Sequence, residues 1–395
     1  KARLFTTVPR ICVRYECVPM RFIKHVYKIH TYTQEGRLFE GKTPASAFLN
    51  SSYDGSFIAG LMELRYIQSL PVERIINYFE GYGFTLKKPT AHKLIEKASS
   101  LFENLYKCIR QTALSDPYKA ADETYYKILV PEKNSKGKGV RKGYLWVVVG
   151  INTRMIYLLY DDGSRSERVI LNELGGCKGI IQSDGYSPYR KLESDAYPNI
   201  TRIPCLQHIK RKFIDCGEKD PDAKRIVELI NALYQNEHKH KVGVEGWTVE
   251  QNLMHRKKYA PDILGEIKDM LDEIEERGDL LPKSELQEAI TYLRNEWNAV
   301  VDIFNYGDTY LDNNMVERMN RYISLSRKNS LFFGSHKGAE RGAILYTIAL
   351  TCRMHKVNLF EYLTDVINRT AEWQPNTPIE KYRELLPDRW EKAND

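Results

Sequence analysis

The chain has 395 residues, of which 42% are hydrophobic and 28% are charged, and its formal net charge is +7 at pH 7. This size and composition predict a globular protein of two or three domains, each with its own apolar core. No apolar run approaches the roughly 20 residues that a membrane helix needs, which excludes a membrane-spanning protein. Seven scattered cysteines exclude a disulfide framework and favour the reducing cytoplasm.

The beginning of the chain and its basic residues add expectations about targeting and partners. The residues Lys1–Pro9 lack the apolar stretch of a secretion signal. Because the sequence begins with Lys1 rather than Met, we expect further residues upstream. The 59 basic residues permit a polyanionic partner, although the mild net charge does not require one.

Residues 1–54 predict a short β-rich segment. Its strand-like pieces are Ile11–Arg14 and His25–Ile29, which polar turns separate. Four potential zinc ligands lie in this segment: Cys12, Cys17, His25 and His30. Their spacing fits no common zinc finger, and the alternation of side chains favours strand, so we expect no zinc.

Residues 55–115 predict a helical domain of the helix-turn-helix kind. Apolar residues recur at helical spacing in three successive segments: Phe57–Leu64, Leu70–Phe79 and Pro89–Leu105. A short helix, a turn and a longer helix form the outline of a DNA-reading domain, in which Lys88 and Lys93 would face DNA. A helical spacer without DNA contacts has the same outline and is an equal alternative.

Residues 116–216 predict the first part of an α/β core. Five β-rich runs and one helix follow one another here: Thr124–Val130, Tyr144–Gly150, Met155–Tyr160, the helix Ser166–Leu174, Gly179–Ser183 and Asn199–Cys205. Three antiparallel strands followed by strands joined through helices match the order of a ribonuclease-H-like mixed sheet. The fold class that we expect is therefore α/β.

Residues 217–305 interrupt this alternation and predict an all-helical insertion. Apolar stripes mark three helices: Ile226–Leu233, Ile263–Ile274 and Leu286–Trp297. We expect residues 306–350 to form the second part of the core, with a helix that carries Glu317, and residues 351–395 to form a helical tail. The insertion would then separate the two parts of the core in sequence but not in space.

Three carboxylates carry the functional hypothesis. Asp122 is expected at the mouth of the first strand, and a short apolar strand leads directly into Asp184 and Gly185. Each aspartate alone is more typical of a turn or a helix cap. Glu317 lies on a polar helix face, where the alternative is an exposed pair with Arg321 worth about 0.3–0.5 kcal/mol. Together the three acids would form an oxygen-rich site, which suits magnesium or manganese rather than zinc.

Six short motifs resemble, in order, those of the insertion-sequence-66 transposases of bacteria. They are Ala121–Thr124, Gly143–Trp146, Gln182–Tyr186, Cys205–Phe213, Asp312–Arg318 and Arg327–Gly334. The resemblance continues through Gly338–Arg341 and Leu359–Asp365, so it spans the chain from about Leu70 to the C-terminus. Any one motif is weak, but six in the same order, with a helical insertion where the family has one, form a specific pattern.

The resemblance implies roles for several residues of these motifs. Asp122, Asp184 and Glu317 match the acidic triad of the family, which holds two magnesium or manganese ions. By similarity, His208 would touch the scissile phosphate or position Asp184, and Arg321 would support the site. A lone histidine of this kind is more often a core residue satisfied by hydrogen bonds, and that alternative stays open.

Basic residues near these motifs are candidates for DNA contacts. In addition to Lys88 and Lys93, the candidates are Lys138, Arg141, Lys142, Lys210, Arg211, Arg327 and Lys328. The first three belong to a basic loop, Pro131–Gly143, beside the first catalytic strand. A charged hairpin tip that is merely solvated is an equally good interpretation of that loop.

The function implied by the resemblance is DNA transposition. Such an enzyme binds the terminal inverted repeats of its mobile element, cuts with a metal-activated water and joins the 3′ hydroxyl to target DNA. We expect a homo-oligomer in a synaptic complex, possible use of accessory proteins encoded by the element, and a cytoplasmic, nucleoid-associated location. The alternatives are a ribonuclease-H-type nuclease and a DNA-binding regulator, either one descended from a transposase.

Overall fold

The structure is a computed structural model that describes residues 14–392, except for residues 16, 18–19, 42–43, 45, 49–50, 134–136, 138, 218–219, 240–245 and 375. The described strands are β1 (Thr31–Gln34), β2 (Arg37–Glu40), β3 (Tyr118–Leu129), β4 (Val140–Gly150), β5 (Ile156–Leu159), β6 (Gly179–Ser183) and β7 (Ile200–Pro204). None of the described helices is long and apolar enough to cross a membrane.

The helices before and within the sheet region are α1 (Gly55–Tyr66), α2 (Val72–Gly81), α3 (Lys88–Leu101), α4 (Glu103–Ser115), α5 (Glu167–Leu174), α6 (Ser187–Arg190) and α7 (Leu206–Asp215). Those that follow are α8 (Pro221–Lys239), α9 (Val249–Glu276), α10 (Glu285–Ile303), α11 (Asn314–Asn329), α12 (His336–Met354), α13 (Leu359–Ala371) and α14 (Ile379–Arg383).

A five-stranded mixed sheet organises the centre of the molecule, in the order β5-β4-β3-β6-β7. The pairs β3–β4 and β4–β5 are antiparallel, whereas β3–β6 and β6–β7 are parallel. Helices cover the sheet, and the run Leu145–Val149 of β4 is consequently buried at every position. The mixed α/β class expected from the sequence is confirmed.

Strand β3 is longer than its sequence pattern indicates. It begins at Tyr118 rather than at the predicted Thr124, because the small residues Ala120 and Ala121 pair with β4 although they lack the β-branched or aromatic character typical of strands. Asp122 therefore lies inside the strand, and its expected position at the strand mouth is wrong. The last residue of β3 paired with β6 is Ala120.

The N-terminal segment also differs from its prediction. His25–Ile29 is not a strand, and the described hairpin begins at Thr31. The turn of that hairpin contains Glu35 and Gly36 with φ of 51° and 76°, which is the left-handed geometry that favours a two-residue hairpin turn. Most of the predicted strand Ile11–Arg14, including Cys12, lies outside the described residues, and Cys17 is exposed.

The helices α8, α9 and α10 pack as an all-helical layer against the sheet region. Their buried stripes match the predicted ones at these positions: Ile226, Leu229, Ile230, Leu233, Ile267, Leu271, Ile274, Ile290 and Leu293. Helix α10 contacts both β7 and α7. The insertion is therefore docked on the part of the sheet that follows Asp184 in sequence.

A buried arginine fixes the connection from the insertion to α11. The guanidinium of Arg256 donates to both carboxylate oxygens of Glu237, at 2.7 and 2.8 Å. Its other hydrogen bonds reach the carbonyl oxygens of Ile303 and Tyr306 and both oxygens of Thr309. Because Arg256 is fully buried and all these acceptors share it, its loss would leave a buried carboxylate and several carbonyls without a donor.

We expect Arg256→Met to lower the free energy of unfolding by about 3–5 kcal/mol, the scale for removing one partner of a buried ion pair. Urea unfolding of the full chain measures this change. The matched control is Arg225→Met, which removes an exposed pair with Glu266 and should barely move the unfolding midpoint. Equal effects of the two substitutions would show that the Arg256 network does not stabilise the fold.

Candidate active site

Asp122 and Asp184 lie side by side at the point where β3 separates from β6. The last parallel pair is Ala120 with Gln182; Asp122 lies two residues further inside β3, whereas Asp184 directly follows the end of β6. Since side chains alternate along a strand, the carboxylate of Asp122 lies on the sheet face of Ala120. Parallel strands are about 4.8 Å apart, so the two aspartates lie at the same edge of the sheet, and their convergence with Glu317 on one metal site stays a prediction.

The carboxyl group of Asp122 resists ionisation in this position. Burial, and then the negative charges of Glu123 and Asp184, raise its pKa to about 8. Two hydrogen bonds to the ionised form act in the opposite direction. The backbone N–H of Glu123 donates to Oδ1 at 2.8 Å, and the Asn320 amide donates to Oδ2 at 2.5 Å.

Glu123 is a site residue that the sequence analysis missed. Its carboxylate is ion-paired with Arg165 and accepts a hydrogen bond from the Tyr189 hydroxyl at 3.4 Å. Burial raises its pKa, the Arg165 hydrogen bond lowers it, and Asp184 raises it again. The only sequence signal was its place directly after Asp122, and the strand alternation directs it to the opposite sheet face.

Glu317 faces His208 and Cys205. The ligand atoms of the three residues all lie within 4.8 Å of one another, and Glu317 Oε1 is 3.7 Å from His208 Nδ1. Both of those atoms are buried, and neither has a hydrogen-bond partner among the described residues. Arg321 is exposed, and within the described part of the chain no ion pair joins it to Glu317.

Helix α11 connects the group formed by Glu317, His208 and Cys205 with the strand that carries Asp122. Asn313, which precedes its first turn, donates to the carbonyl of Ala121 at 3.1 Å, and Asn320 donates to Asp122. Glu317 lies between these two residues at helical spacing, so the face of α11 that carries it lies along β3. In the sequence, Asn320 is part of the polar cluster around Glu317, but its contact with Asp122 depends on the packing of α11 against β3.

The turn that carries Asp184 is held by residues distant in sequence. The backbone N–H of Gly185 donates to the hydroxyl of Tyr292 on α10 at 2.8 Å. A Cβ at Gly185 would lie 2.4 Å from that oxygen, so any other residue there would have to displace the ring of Tyr292. On the other side, buried Arg202 donates to the carbonyl of Asp184 at 3.2 Å and is ion-paired with buried Glu296 of α10.

A cleft of about 360 Å³ opens beside Asp184. Its lining residues are Arg165, Asp184, Gly185, Tyr186, His208, Arg211, Lys212, Asp215 and Tyr292. The predicted residues Asp184, His208 and Arg211 thus share one cleft. Three cationic side chains, Arg165, Arg211 and Lys212, line the cleft together with the carboxylates of Asp184 and Asp215.

The remaining predicted DNA contacts are distributed over several elements. Lys88 and Lys93 are exposed on α3, and Lys88 is ion-paired with Glu73. Arg141 and Lys142 are exposed on β4, and Arg327 and Lys328 lie in the last turn of α11. Lys210 on α7 lies 5.9 Å from the ring centre of Tyr234. Lys138 lies outside the described residues. Of these residues, Lys142 and Arg327 lie together at the ring of Tyr125.

Comparison with known proteins gives the family. Residues 50–341 match the family described as Transposase IS66 family. The chain belongs to the IS66 transposase family. This match confirms the resemblance based on the six motifs, all of which lie within the matched residues.

Relatives of this IS66 family member occur in Sinorhizobium fredii. The uncharacterized protein y4jD is 25% identical over 370 residues, which are 90% of this chain and 70% of the relative. The uncharacterized protein y4hP is 25% identical over 82% of this chain and 60% of its own length. For the uncharacterized protein y4qI the identity is also 25%, over 93% of this chain and 69% of the relative.

The raised pKa of Asp122 predicts a pH dependence of stability. Between about pH 4 and pH 8 the folded protein retains a proton that the unfolded chain has released, so the free energy of unfolding should fall as the pH rises. Asp122→Asn removes this contribution and should flatten the fall. Urea unfolding in EDTA at about pH 5 and about pH 8 measures it.

Asp269→Asn, a change of an exposed carboxylate on α9, is the control and should retain the wild-type pH dependence. If Asp122→Asn and the wild type lose the same free energy of unfolding between the two pH values, Asp122 ionises normally in the folded protein.

Proposed function

We propose that this IS66 family member is a transposase of the acidic-triad type, with Asp122, Asp184 and Glu317 as the acids. Its reaction would be metal-dependent cleavage of DNA at the ends of a mobile element and transfer of the cut strand to target DNA. The observation that supports it best is that Asp122 and Asp184 come just past the last backbone pair between two neighbouring strands, with Asp184 in the wall of a cleft that also contains Arg165, Arg211 and Lys212.

The charges and donor atoms of the site fit magnesium or manganese. The pKa of Asp122 is raised partly by Asp184, so an added cation would relieve a repulsion that the folded chain otherwise bears. Glu317 Oε1 is buried without a hydrogen-bond partner among the described residues and is available to a ligand. Carboxylate oxygens are the ligands that these hard cations prefer.

The neighbouring Cys205 and His208 form, together with Glu317, a group of three residues whose ligand atoms could also hold a metal ion. Burial raises the pKa of Cys205 to about 12, and its sulfur accepts a hydrogen bond from the backbone N–H of Asn313 at 3.2 Å. A zinc ligand must be a thiolate, and burial disfavours that form of Cys205 in the metal-free chain, so we expect the carboxylates to hold the ions. His208 instead lies in the cleft with Arg211, where it would contact a phosphate.

The residues of the chain then have distinct tasks. Two ions held by the three acids would supply an activated oxygen nucleophile and stabilise charge on the leaving oxygen. Asn320 orients the carboxylate of Asp122, and Tyr292 with Arg202 holds the turn of Asp184. Arg211 and Lys212 would bind the phosphates that flank the reacting one.

The fold supports this proposal at a coarser level. The central sheet has the order β5-β4-β3-β6-β7. Its first three strands along the chain, β3, β4 and β5, are antiparallel neighbours. We interpret this order as a ribonuclease-H-like sheet. We interpret α2 and α3 as a helix-turn-helix whose Lys88 and Lys93 would contact DNA. A homo-oligomeric synaptic complex in the nucleoid completes the proposal.

The decisive substitution is Glu317→Gln, which preserves shape and removes one charge. We expect the variant to fold and to bind element-end DNA normally, yet to lose cleavage and joining by at least about a hundredfold. The assay is strand transfer of labelled element ends with magnesium, run beside a gel shift on the same DNA. A nuclease would cleave these ends without joining them.

The matched control is Glu266→Gln, a change of an exposed glutamate on α9, which should leave joining intact. Near-normal joining by Glu317→Gln would remove the third acid from the proposal. Loss of DNA binding as well as joining would indicate a structural role for Glu317.

A further inference from the structure

Cationic and aromatic side chains alternate in a ridge that ends at the candidate active site. In order, the ridge consists of Arg327, Tyr125, Lys142, Tyr144, Arg165 and Tyr186. Arg327 and Lys142 lie 3.9 and 4.2 Å from the ring centre of Tyr125. Lys142 and Arg165 lie 5.4 and 5.2 Å from that of Tyr144, and Arg165 lies 4.1 Å from that of Tyr186.

The ridge follows from the register of the sheet. Tyr125 on β3 pairs directly with Tyr144 on β4, which places their Cβ atoms about 4.5–5.5 Å apart on one face. Lys142 lies two residues before Tyr144 and therefore shares that face. Arg327 reaches the same face from the end of α11, where it donates to the carbonyl of Tyr125.

The ridge is partly accessible and largely pre-organised. Tyr125 is 37% exposed, Lys142 and Arg165 are exposed as well, and Tyr144, Tyr186 and Arg327 are half-buried. By contrast, Trp146 is fully buried further along the same face of β4. The hydroxyl of Tyr186 donates to the carbonyl of Arg165 at 3.0 Å, which fixes these two side chains beside each other.

The charge of the ridge favours a polyanion. It contains three cations, and two carboxylates contact it: Glu123 is ion-paired with Arg165, and Asp184 accepts a hydrogen bond from the backbone N–H of Tyr186 at 3.1 Å. Tyr186 and Arg165 also line the cleft beside Asp184. A chain bound along the ridge would therefore lead directly into that cleft.

We propose that this ridge binds an unpaired DNA strand that enters the cleft at Asp184. Bases would stack on the three tyrosine rings, and the phosphates between them would pair with the cations. A cation over an exposed ring is a weaker contact than a base stacked on that ring. When DNA binds, each cation can therefore leave its ring to a base and pair with a phosphate. The inference rests on the proposed function, because it assumes that DNA is the substrate.

Base stacking distinguishes this proposal from simple charge attraction. Unpaired bases can reach the rings, whereas the bases of a duplex are already stacked on one another. Removing the rings should therefore weaken the binding of single strands far more than that of duplexes. Removing a cation should weaken both and lower the salt dependence.

The test uses fluorescence anisotropy of the full chain in EDTA, with a labelled single strand and with the duplex of the same sequence. In the double variant Tyr125→Leu with Tyr144→Leu, we expect single-strand affinity to fall by about tenfold or more, with duplex affinity within about twofold of wild type. The matched control, Tyr125→Phe with Tyr144→Phe, keeps the rings and should bind as wild type. Lys142→Gln should lower the slope of affinity against salt by about one unit.

The outcomes separate this inference from the proposed function. Wild-type single-strand affinity in the leucine variant, or an equal loss for single strand and duplex, would overturn the inference, provided that melting temperatures show both double variants folded. Because the measurement is made in EDTA, a loss confined to single strands would support the ridge even if strand transfer were never observed. Strand transfer with no effect of the leucine substitutions would leave the proposed function standing alone.

Discussion

The cost of ionising a buried carboxyl group, that of Asp122, is the constraint around which this part of the molecule is arranged. Asp122 lies in β3, and Asp184 directly follows the neighbouring strand β6. Burial first, and then the negative charges of Glu123 and Asp184, raise the pKa of Asp122 and express that cost. The groups nearest to the pair hold it in place without neutralising it. Asn320 and a backbone N–H hold Asp122, while Tyr292 and Arg202 hold the turn of Asp184.

The helical insertion is part of this support. Helix α10 supplies the hydroxyl that accepts from Gly185 and the buried carboxylate of Glu296 that binds Arg202. Arg256 then fixes the connection from the insertion to α11, which brings Asn320 and Glu317 back to β3. A segment that interrupts the core in sequence therefore links its two parts in space.

Local patterns in the sequence predicted the elements that depend on local interactions. The apolar run before Asp184 and the stripes of α8–α10 were sufficient for β6 and the insertion, because burial repeats along each element at a fixed period. Strand β3 was predicted too short, since Ala120 and Ala121 are strand residues only by their pairing with β4. Tyr292 and Arg202 could not be predicted as site residues, because their contacts with the turn of Asp184 depend on tertiary packing.

Isothermal titration calorimetry of the metal-free chain with manganese tests the central claim most directly. The account predicts that the wild type binds manganese and that Asp122→Asn with Asp184→Asn abolishes this binding while the protein stays folded. Asp269→Asn, which changes an exposed carboxylate on α9, should bind as the wild type does. Unchanged manganese binding by the double variant would contradict the account, because the two acids would then not form the metal site.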